Sequence, residues 1–402
     1  MRVSFARVRA VAALILLSVT IQSVPAYAVE PEASAHVSPS AAPVASTKTA
    51  TTTTPALPHE PLTRDRSVAA GLAIVPGIAL HGSGHYALGH KKTALALLIT
   101  EGVGLVLLIG GISTLLVSGN SRHLAGPALV STVFGSGLLV ASFGTDLYGT
   151  LALDGDAVDL LPRAPPRVES ELGYRYVADP HFRYGHFVVE SLTLRQGDFR
   201  LTPSAWFATD TSNVRYRVEG AYRVLGLEPG ELGKHDDHLD VVLGGLHQRY
   251  VPERFQRSGI ELTLDTRFDF CHFGDTLRGS FIDLAIGYGL AKVTYDIPGL
   301  RVPADRDDLL LARVGLGVAL RGRAAPGSEA RVYYDHRHDD YAAGLLTPGR
   351  ISGVFGKLGT DLRWFFTPRL GVLVDAQMGS AFVGGLSLLL RDGTLRTHGA
   401  SP

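Results

Sequence analysis

Apolar and polar residues alternate through the second half of the chain, from Arg167 to Arg391. In Gly259–Phe270, the residues Ile260, Leu262, Leu264, Thr266, Phe268 and Phe270 hold one parity, and Glu261, Thr263, Asp265, Arg267 and Asp269 hold the other. Successive side chains of a strand point to opposite faces, so this pattern predicts a strand with one apolar and one polar face. Asn213–Val224 repeats it, with Val214, Tyr216, Val218, Tyr222 and Val224 opposing Arg215, Arg217, Glu219 and Arg223. Gly353–Phe366 does so again, with Lys357, Asp361 and Arg363 opposite Leu358, Leu362, Trp364 and Phe366. Strands of about ten residues, repeated between polar turns, predict an antiparallel up-and-down transmembrane β-barrel.

Twelve strands are expected, starting near Arg167, Gly185, Asp198, Asn213, His238, Gln256, Gly279, Leu309, Ala330, Gly353, Arg369 and Phe382. An even count puts both chain ends of the barrel on the periplasmic side. The short turns Gln196–Gly197, Ala324–Ser328 and Thr367–Pro368 then fall there, and the long loops Pro298–Asp308 and Arg337–Arg350 fall outside. Gly226–Asp237 is long yet periplasmic, which leaves the count open by one hairpin.

The pattern changes ahead of the barrel. Thr93–Ser118 and Leu124–Tyr148 are long enough to span a bilayer as helices. Asn120, Ser121 and Arg122 supply the turn, and Ser131/Gly135 with Gly137/Ala141 place small residues one helical turn apart for close packing. The fold class is therefore mainly β, with an apolar helical hairpin over 67–153 and the barrel over 167–391. Apolar helices tend to halt export at the inner membrane, but Lys91 and Lys92 sit on the wrong side for that topology. Arg122 in the turn obeys the rule, so the charge test is split, and the hairpin is expected against or beside the barrel.

Arg2, Arg7 and Arg9, the apolar run Val11–Val19 and Ala26-Tyr27-Ala28 make a signal peptide over 1–28. Residues 29–66 are rich in Ala, Pro and Thr, including Thr51–Thr54, and read as a disordered linker. Pro162, Pro165 and Pro166 mark a joint over 154–166, and 392–402 is a polar tail. A soluble barrel would show the same alternation. The leader, the apolar helices and the strand length favour a membrane.

Basic and acidic residues are equal in number, 38 each, which argues against a nucleic-acid surface. A single cysteine, Cys271, excludes an intramolecular disulfide framework and any multi-cysteine metal site. If the apolar parity faces lipid, the lumen receives Arg215, Arg217, Glu219, Glu261, Asp265, Arg267, Lys357, Asp361 and Arg363. A diffusion pore for one class of ion would favour one sign. Interleaved signs predict charges that pair across the interior and close it.

Two polar clusters carry candidate chemistry. Asp335, His336, His338, Asp339 and Asp340 end the ninth strand where an outside loop begins. Imidazole and carboxylate two residues apart on one face suit a divalent metal or a His–Asp acid–base pair. In that placement the chain resembles outer-membrane lipid hydrolases, barrels with a catalytic His near the outer rim. Their Ser two residues after the His is replaced here by His338, so the resemblance fails at the nucleophile. A solvated rim is the favoured reading.

The second cluster is His81, His85 and His90, with Glu101 alone in the first apolar helix. A metal site there needs a helix across His81 and His85, and Gly82, Gly84 and Gly89 argue for a loop or cap instead. Gly287/Gly289 and Gly315/Gly317 lie within strand patterns, with no helix after them to complete a phosphate cradle. They read as places of close backbone approach.

Pro76-Gly77, His81-Gly-Ser-Gly-His85, Gly89 and Glu101-Gly-Val-Gly resemble the helical part of uncharacterised Gram-negative envelope proteins, myxobacterial ones especially. That resemblance implies no activity. The chain is expected to be an outer-membrane barrel with a structural or surface-interaction role and no cofactor. Its expected partners are membrane lipid, lipopolysaccharide or other envelope proteins, and not nucleic acid. The alternatives are a lipid hydrolase using His336 and His338, and a small-solute channel.

Overall fold

The computed structural model describes residues 64–118, 122–151, 165–182, 184–226, 236–320, 327–337, 340–347 and 353–392. The expected signal peptide, nearly all of the expected linker and all of the tail but Asp392 lie outside these residues, as do His338 and Asp339.

In chain order the helices are α1 (Arg64–Ile74), α2 (Ser83–Ala87), α3 (Lys91–Ser118) and α4 (Arg122–Leu151). The first eight strands are β1 (Val168–Ala178), β2 (Gly185–Gln196), β3 (Phe199–Ala208), β4 (Val214–Gly226), β5 (His238–Tyr250), β6 (Phe255–Asp269), β7 (Ser280–Tyr295) and β8 (Asp305–Ala319). They are followed by β9 (Glu329–Asp335), β10 (Leu345–Thr347), β11 (Gly353–Phe355), β12 (Lys357–Phe365), β13 (Leu370–Met378) and β14 (Phe382–Arg391).

Twelve of these strands, all but β10 and β11, form a closed barrel in sequence order. Every neighbouring pair runs antiparallel, and β14 closes the ring on β1 with Glu169 opposite Arg391 and Ala178 opposite Phe382. The end where β1 begins and β14 finishes is here called the terminal end, and the opposite one the far end. The tenth expected strand starts at Lys357 rather than Gly353. Residues Gly353–Phe355 pair instead with β10, within the connection from β9 to β12. Gly356 marks the break, since a Cβ there would lie 2.0 Å from the Asp335 carbonyl oxygen.

The alternation resolves into an outward and an inward set. Leu243 and Ile260 are each 61% exposed on the outer wall, whereas Val242, Gly244 and Glu261 point inside and are buried. The interior is layered. Near the terminal end Phe365, Leu373 and Leu389 form an apolar cluster, with the Arg391 guanidinium 3.6 Å over the Phe365 ring centroid. Charged side chains fill the middle. Near the far end Val177, Tyr184, Phe187, Val189, Tyr250 and Val383 pack around Tyr341 and Ala342 from the connection after β9.

The inner wall includes glycines where large neighbours cross. A Cβ on Gly317 would fall 2.0 Å from the Phe281 ring, so only glycine leaves that ring its place.

The two long helices run antiparallel, with Gly104 beside Gly135 and Gly111 beside Ala128 and Thr132. Their small residues serve two different faces. The Ser131 hydroxyl donates to the Leu107 carbonyl, and a Cβ on Gly135 would lie 2.4 Å from the Leu108 nitrogen, so this pair seats α4 on α3. Gly137 and Gly144 instead face the barrel, where added Cβ atoms would meet Val314 at 2.0 Å and Leu316 at 2.3 Å. Val314 and Leu316 belong to the outward set of β8. The helices therefore lie on the outer wall beside the barrel, and the Tyr148 hydroxyl donates to the Ala319 carbonyl at the terminal end. Leu97, Val133, Ala141, Phe270, Leu277, Ile282 and Val314 form the buried seam.

Candidate functional site

The barrel interior gathers the inward charges into ion pairs that reach past neighbouring strands. Arg217 of β4 meets Glu219 at 2.5 Å and Glu261 of β6 at 2.7 Å. Arg267 of β6 reaches Glu329 of β9 at 3.2 Å, and Arg363 of β12 reaches Glu169 of β1 at 3.3 Å. In both of these the partners stand three strands apart around the ring. Arg331 bonds Asp361 through two nitrogens at 2.9 and 2.8 Å, and Arg313 meets Asp265 at 3.5 Å. Arg175 bridges Glu171 at 2.7 Å and Asp375 at 2.9 Å. A charge held in a low-dielectric interior is costly unless paired and hydrogen-bonded, which is why both signs interleave along the strands.

The connection after β9 turns inward over these pairs. Arg337 donates two hydrogen bonds to Glu261, at 2.6 and 2.8 Å. Lys357 pairs with Asp340, both nearly buried. Tyr341, 1% exposed, sits between Phe187 at a centroid distance of 4.6 Å and Trp206 at 5.7 Å. Burial pushes the Asp340 carboxyl up, but Lys357 and Arg215 outweigh it and hold the group at about 2. Asp340 is thus an anion at any physiological pH, and the connection is pinned by charge as well as by the tyrosine.

Beneath that connection lies a cavity of about 290 Å³, lined by Trp206, Arg215, Tyr333, Asp335, Tyr341 and neighbouring inward residues. Arg215 faces it with its guanidinium 5.3 Å from the Trp206 ring centroid.

All nine charges expected in the lumen, Arg215, Arg217, Glu219, Glu261, Asp265, Arg267, Lys357, Asp361 and Arg363, stand on the inward parity. The rim cluster is divided by the same alternation. Asp335 and Arg337 turn inward, and Asp335 accepts the Arg337 backbone N–H at 2.9 Å. His336 instead follows Tyr334 onto the outer wall, where its Nδ1 lies 3.0 Å from the Tyr334 hydroxyl. Asp340 is engaged by Lys357 inside the barrel, so His336 and Asp340 do not form a pair with each other. His338 and Asp339 lie outside the described residues.

A second polar centre lies between the helices and the terminal end of the barrel. Buried Asp146 of α4 accepts the backbone N–H groups of Gly82 at 3.0 Å, Gly84 at 3.2 Å and His85 at 3.2 Å. Its carboxylate also lies 2.6 Å from the His85 Nδ1, and the His85 Nε2 lies 3.1 Å from the Thr276 hydroxyl. The turn that presents these donors needs glycine at Gly82, whose φ is +91°.

Glu101 of α3 accepts the His81 backbone N–H at 2.9 Å, and the His81 Nδ1 lies 2.6 Å from the Ser142 hydroxyl. The His90 ring stands 6.2 Å from that of His85 between centroids, and the His90 backbone N–H donates to the His85 carbonyl at 2.9 Å. Among the described residues no group of three or more His, Cys, Asp or Glu could hold a metal ion. The sequence reading missed Asp146, and its signal was a carboxylate inside an otherwise apolar span. Nearby, burial and Asp269 push the Cys271 thiol up to about 12, so it is protonated and poorly nucleophilic at neutral pH.

No family model matches the chain, and no curated protein matches it. Among solved structures it is similar to the outer membrane protein Omp33 of Acinetobacter baumannii, at 11% identity and a TM-score of 0.28, over 56% of this chain and 98% of that one. It is also similar to the translocator domain of the autotransporter NalP from Neisseria meningitidis, at 11% identity and a TM-score of 0.33, over 59% of this chain and 92% of that one. The β domain of the Bordetella autotransporter BrkA gives 14% identity and a TM-score of 0.31, over 56% and 98% respectively. At these values none of them bears on the role of this chain.

Proposed function

We propose that this protein is an exported outer-membrane β-barrel with a sealed interior, acting in envelope structure or surface interaction rather than in diffusion. The observation that carries the reading is the pairing of Arg337 with Glu261, which ties the connection after β9 to a strand three places round the ring. It closes over an interior in which further charges are paired across strands, Arg267 with Glu329 and Arg363 with Glu169 among them. Water-filled pores need unspent polar surface along their length, and here that surface is consumed internally.

The outward set supports a lipid setting, since Leu172, Leu243, Ile260 and Leu386 would otherwise meet water. In this reading the signal peptide over 1–28 is removed, and 29–66 tethers the barrel in the periplasm. The two apolar helices form a hairpin lying in the membrane against β7 and β8. The far end then faces outward and offers its rim to lipopolysaccharide or to other envelope proteins.

Reconstitution into planar bilayers tests the seal. The expected record is closed or shows only small, brief openings. A large, stable, water-filled conductance overturns it. Membrane fractionation with heat-modifiable gel mobility tests the location, and unchanged mobility in a soluble fraction would remove the membrane barrel itself.

A further inference from the structure

Around the cavity beneath the inward connection, almost every cation is already engaged. Arg217 takes Glu219 and Glu261, Arg331 takes Asp361 and Asp283, Arg313 takes Asp265, Arg337 takes Glu261, and Lys357 takes Asp340. Arg215 differs. Among the described residues it has neither an ion pair nor a hydrogen bond; its guanidinium stacks on Trp206 and lies in the field of Asp340 and Glu261. The lining holds six cations (Arg215, Arg217, Arg313, Arg331, Arg337, Lys357) and five carboxylates (Glu219, Asp283, Asp335, Asp340, Asp361). Glu261 and Asp265 behind it pair with Arg217, Arg337 and Arg313, so the unpaired fork of Arg215, and not a surplus of charge, distinguishes the cavity. Asp335 is occupied by the Arg337 backbone N–H and lies in the field of Arg313.

We propose that this cavity is a binding site for a small planar carboxylate, with Arg215 receiving its charge. A guanidinium stacked on an aromatic ring keeps its forked edge donors free, and that fork matches a carboxylate. Trp206, Tyr341 and Val383 supply an apolar wall beside it, suited to a flat hydrocarbon body. A volume of about 290 Å³ sits at the lower end of the range for small-molecule pockets, which admits a ligand of one aromatic ring with its carboxylate and leaves room for small substituents. Because Asp340, Tyr341 and Ala342 form its cover, an occupied site also braces the inward connection.

The site does not require the barrel to be sealed. Conductance tests the seal alone, and binding tests this site alone.

Trp206 provides the readout, since the chain has only two tryptophans. In the full-length protein in detergent micelles, Trp364→Phe leaves Trp206 as the sole emitter. Benzoate, benzamide and benzamidine share a shape and carry negative, zero and positive charge. Titration with benzoate is expected to give a saturable change in Trp206 emission, at least tenfold tighter than with either of the others. Arg215→Gln in the same background is expected to abolish the benzoate response, and Arg215→Lys to weaken it. No saturable response to benzoate in the parent protein overturns the proposal, whatever the variants do. So does equal binding of all three probes, or an unchanged benzoate response in a heat-modifiable Arg215→Gln protein.

Discussion

Tyr341, from the connection after β9, stacks on Trp206 of β3 with ring centroids 5.7 Å apart and planes 20° from parallel. That single contact places a loop residue against the inner wall of the barrel, where Phe187, Tyr184 and Tyr250 complete its enclosure. Truncating a buried aromatic side chain costs about 3–5 kcal/mol, and Tyr341→Ala is expected in that range. Its heat-modifiable transition should fall in temperature and Trp206 emission should shift to the red. An unchanged spectrum would show that the tyrosine does not anchor the loop.

The Lys357–Asp340 pair sets the acid limit of that anchoring. Asp340 is depressed to about 2 from an ordinary carboxylate value near 4. A lowered folded-state pKa contributes stability that is complete above the unfolded value and is lost as pH falls towards the folded one. Loop docking followed by Trp206 emission should therefore be flat from pH 8 to about 5, and should weaken between about pH 4 and pH 2. Lys357→Met leaves Asp340 facing Arg215 and Arg337 alone. Breaking a buried pair on one side costs about 3–5 kcal/mol, and the acid transition should move to higher pH.

Glu261 receives two arginines, Arg217 and Arg337, and no substitution restores both. Glu261→Ala is expected to free the connection after β9, raising bilayer conductance above the parent record. If conductance stays at the parent level while the barrel remains heat-modifiable, the seal does not depend on this residue.

Asp146 makes a comparable prediction for the helices. Asp146→Asn removes the charge that four donors share and turns one of its acceptor atoms into a donor. Hydrogen bonds to a charged group are each worth about 1.5–3 kcal/mol, so the His81–His85 turn should come loose from α4. Limited proteolysis should cut near that turn while the barrel keeps its heat-modifiable mobility. Simultaneous loss of the barrel would show that the helices are required for its stability.

Gly137→Leu tests the seam from the other side. The new side chain would occupy the place of Val314 and push α4 off β8. A cysteine pair at Gly137 and Val314 in the parent chain should cross-link, whereas one at Leu105 and Val314 should not, because Leu105 is exposed on α3.

Much of this architecture was legible along the chain. A period of two cannot be satisfied by a helix, so the strands and their two faces follow from spacing alone. Arg217, Glu261 and Arg267 could be placed on one face by parity before any partner was known, and that face is the inner one if the apolar face meets lipid. The inward turn of Asp340 and Tyr341 was not legible, because it depends on a pocket made by β2, β3 and β5, far away in sequence. Nor were the partners of Asp146, since the donors come from a turn more than sixty residues earlier.

The sequence by itself determined the two faces of the strands and the two apolar helices, set by local periodicity and length, and brought the strand count to twelve with one hairpin open, which the closed ring settles. Tertiary structure alone decided which charges meet, that the helices lie on the outer wall of β8, and that the connection after β9 folds inside. Those outcomes rest on closing the ring, which fixes distances between residues that no local pattern relates.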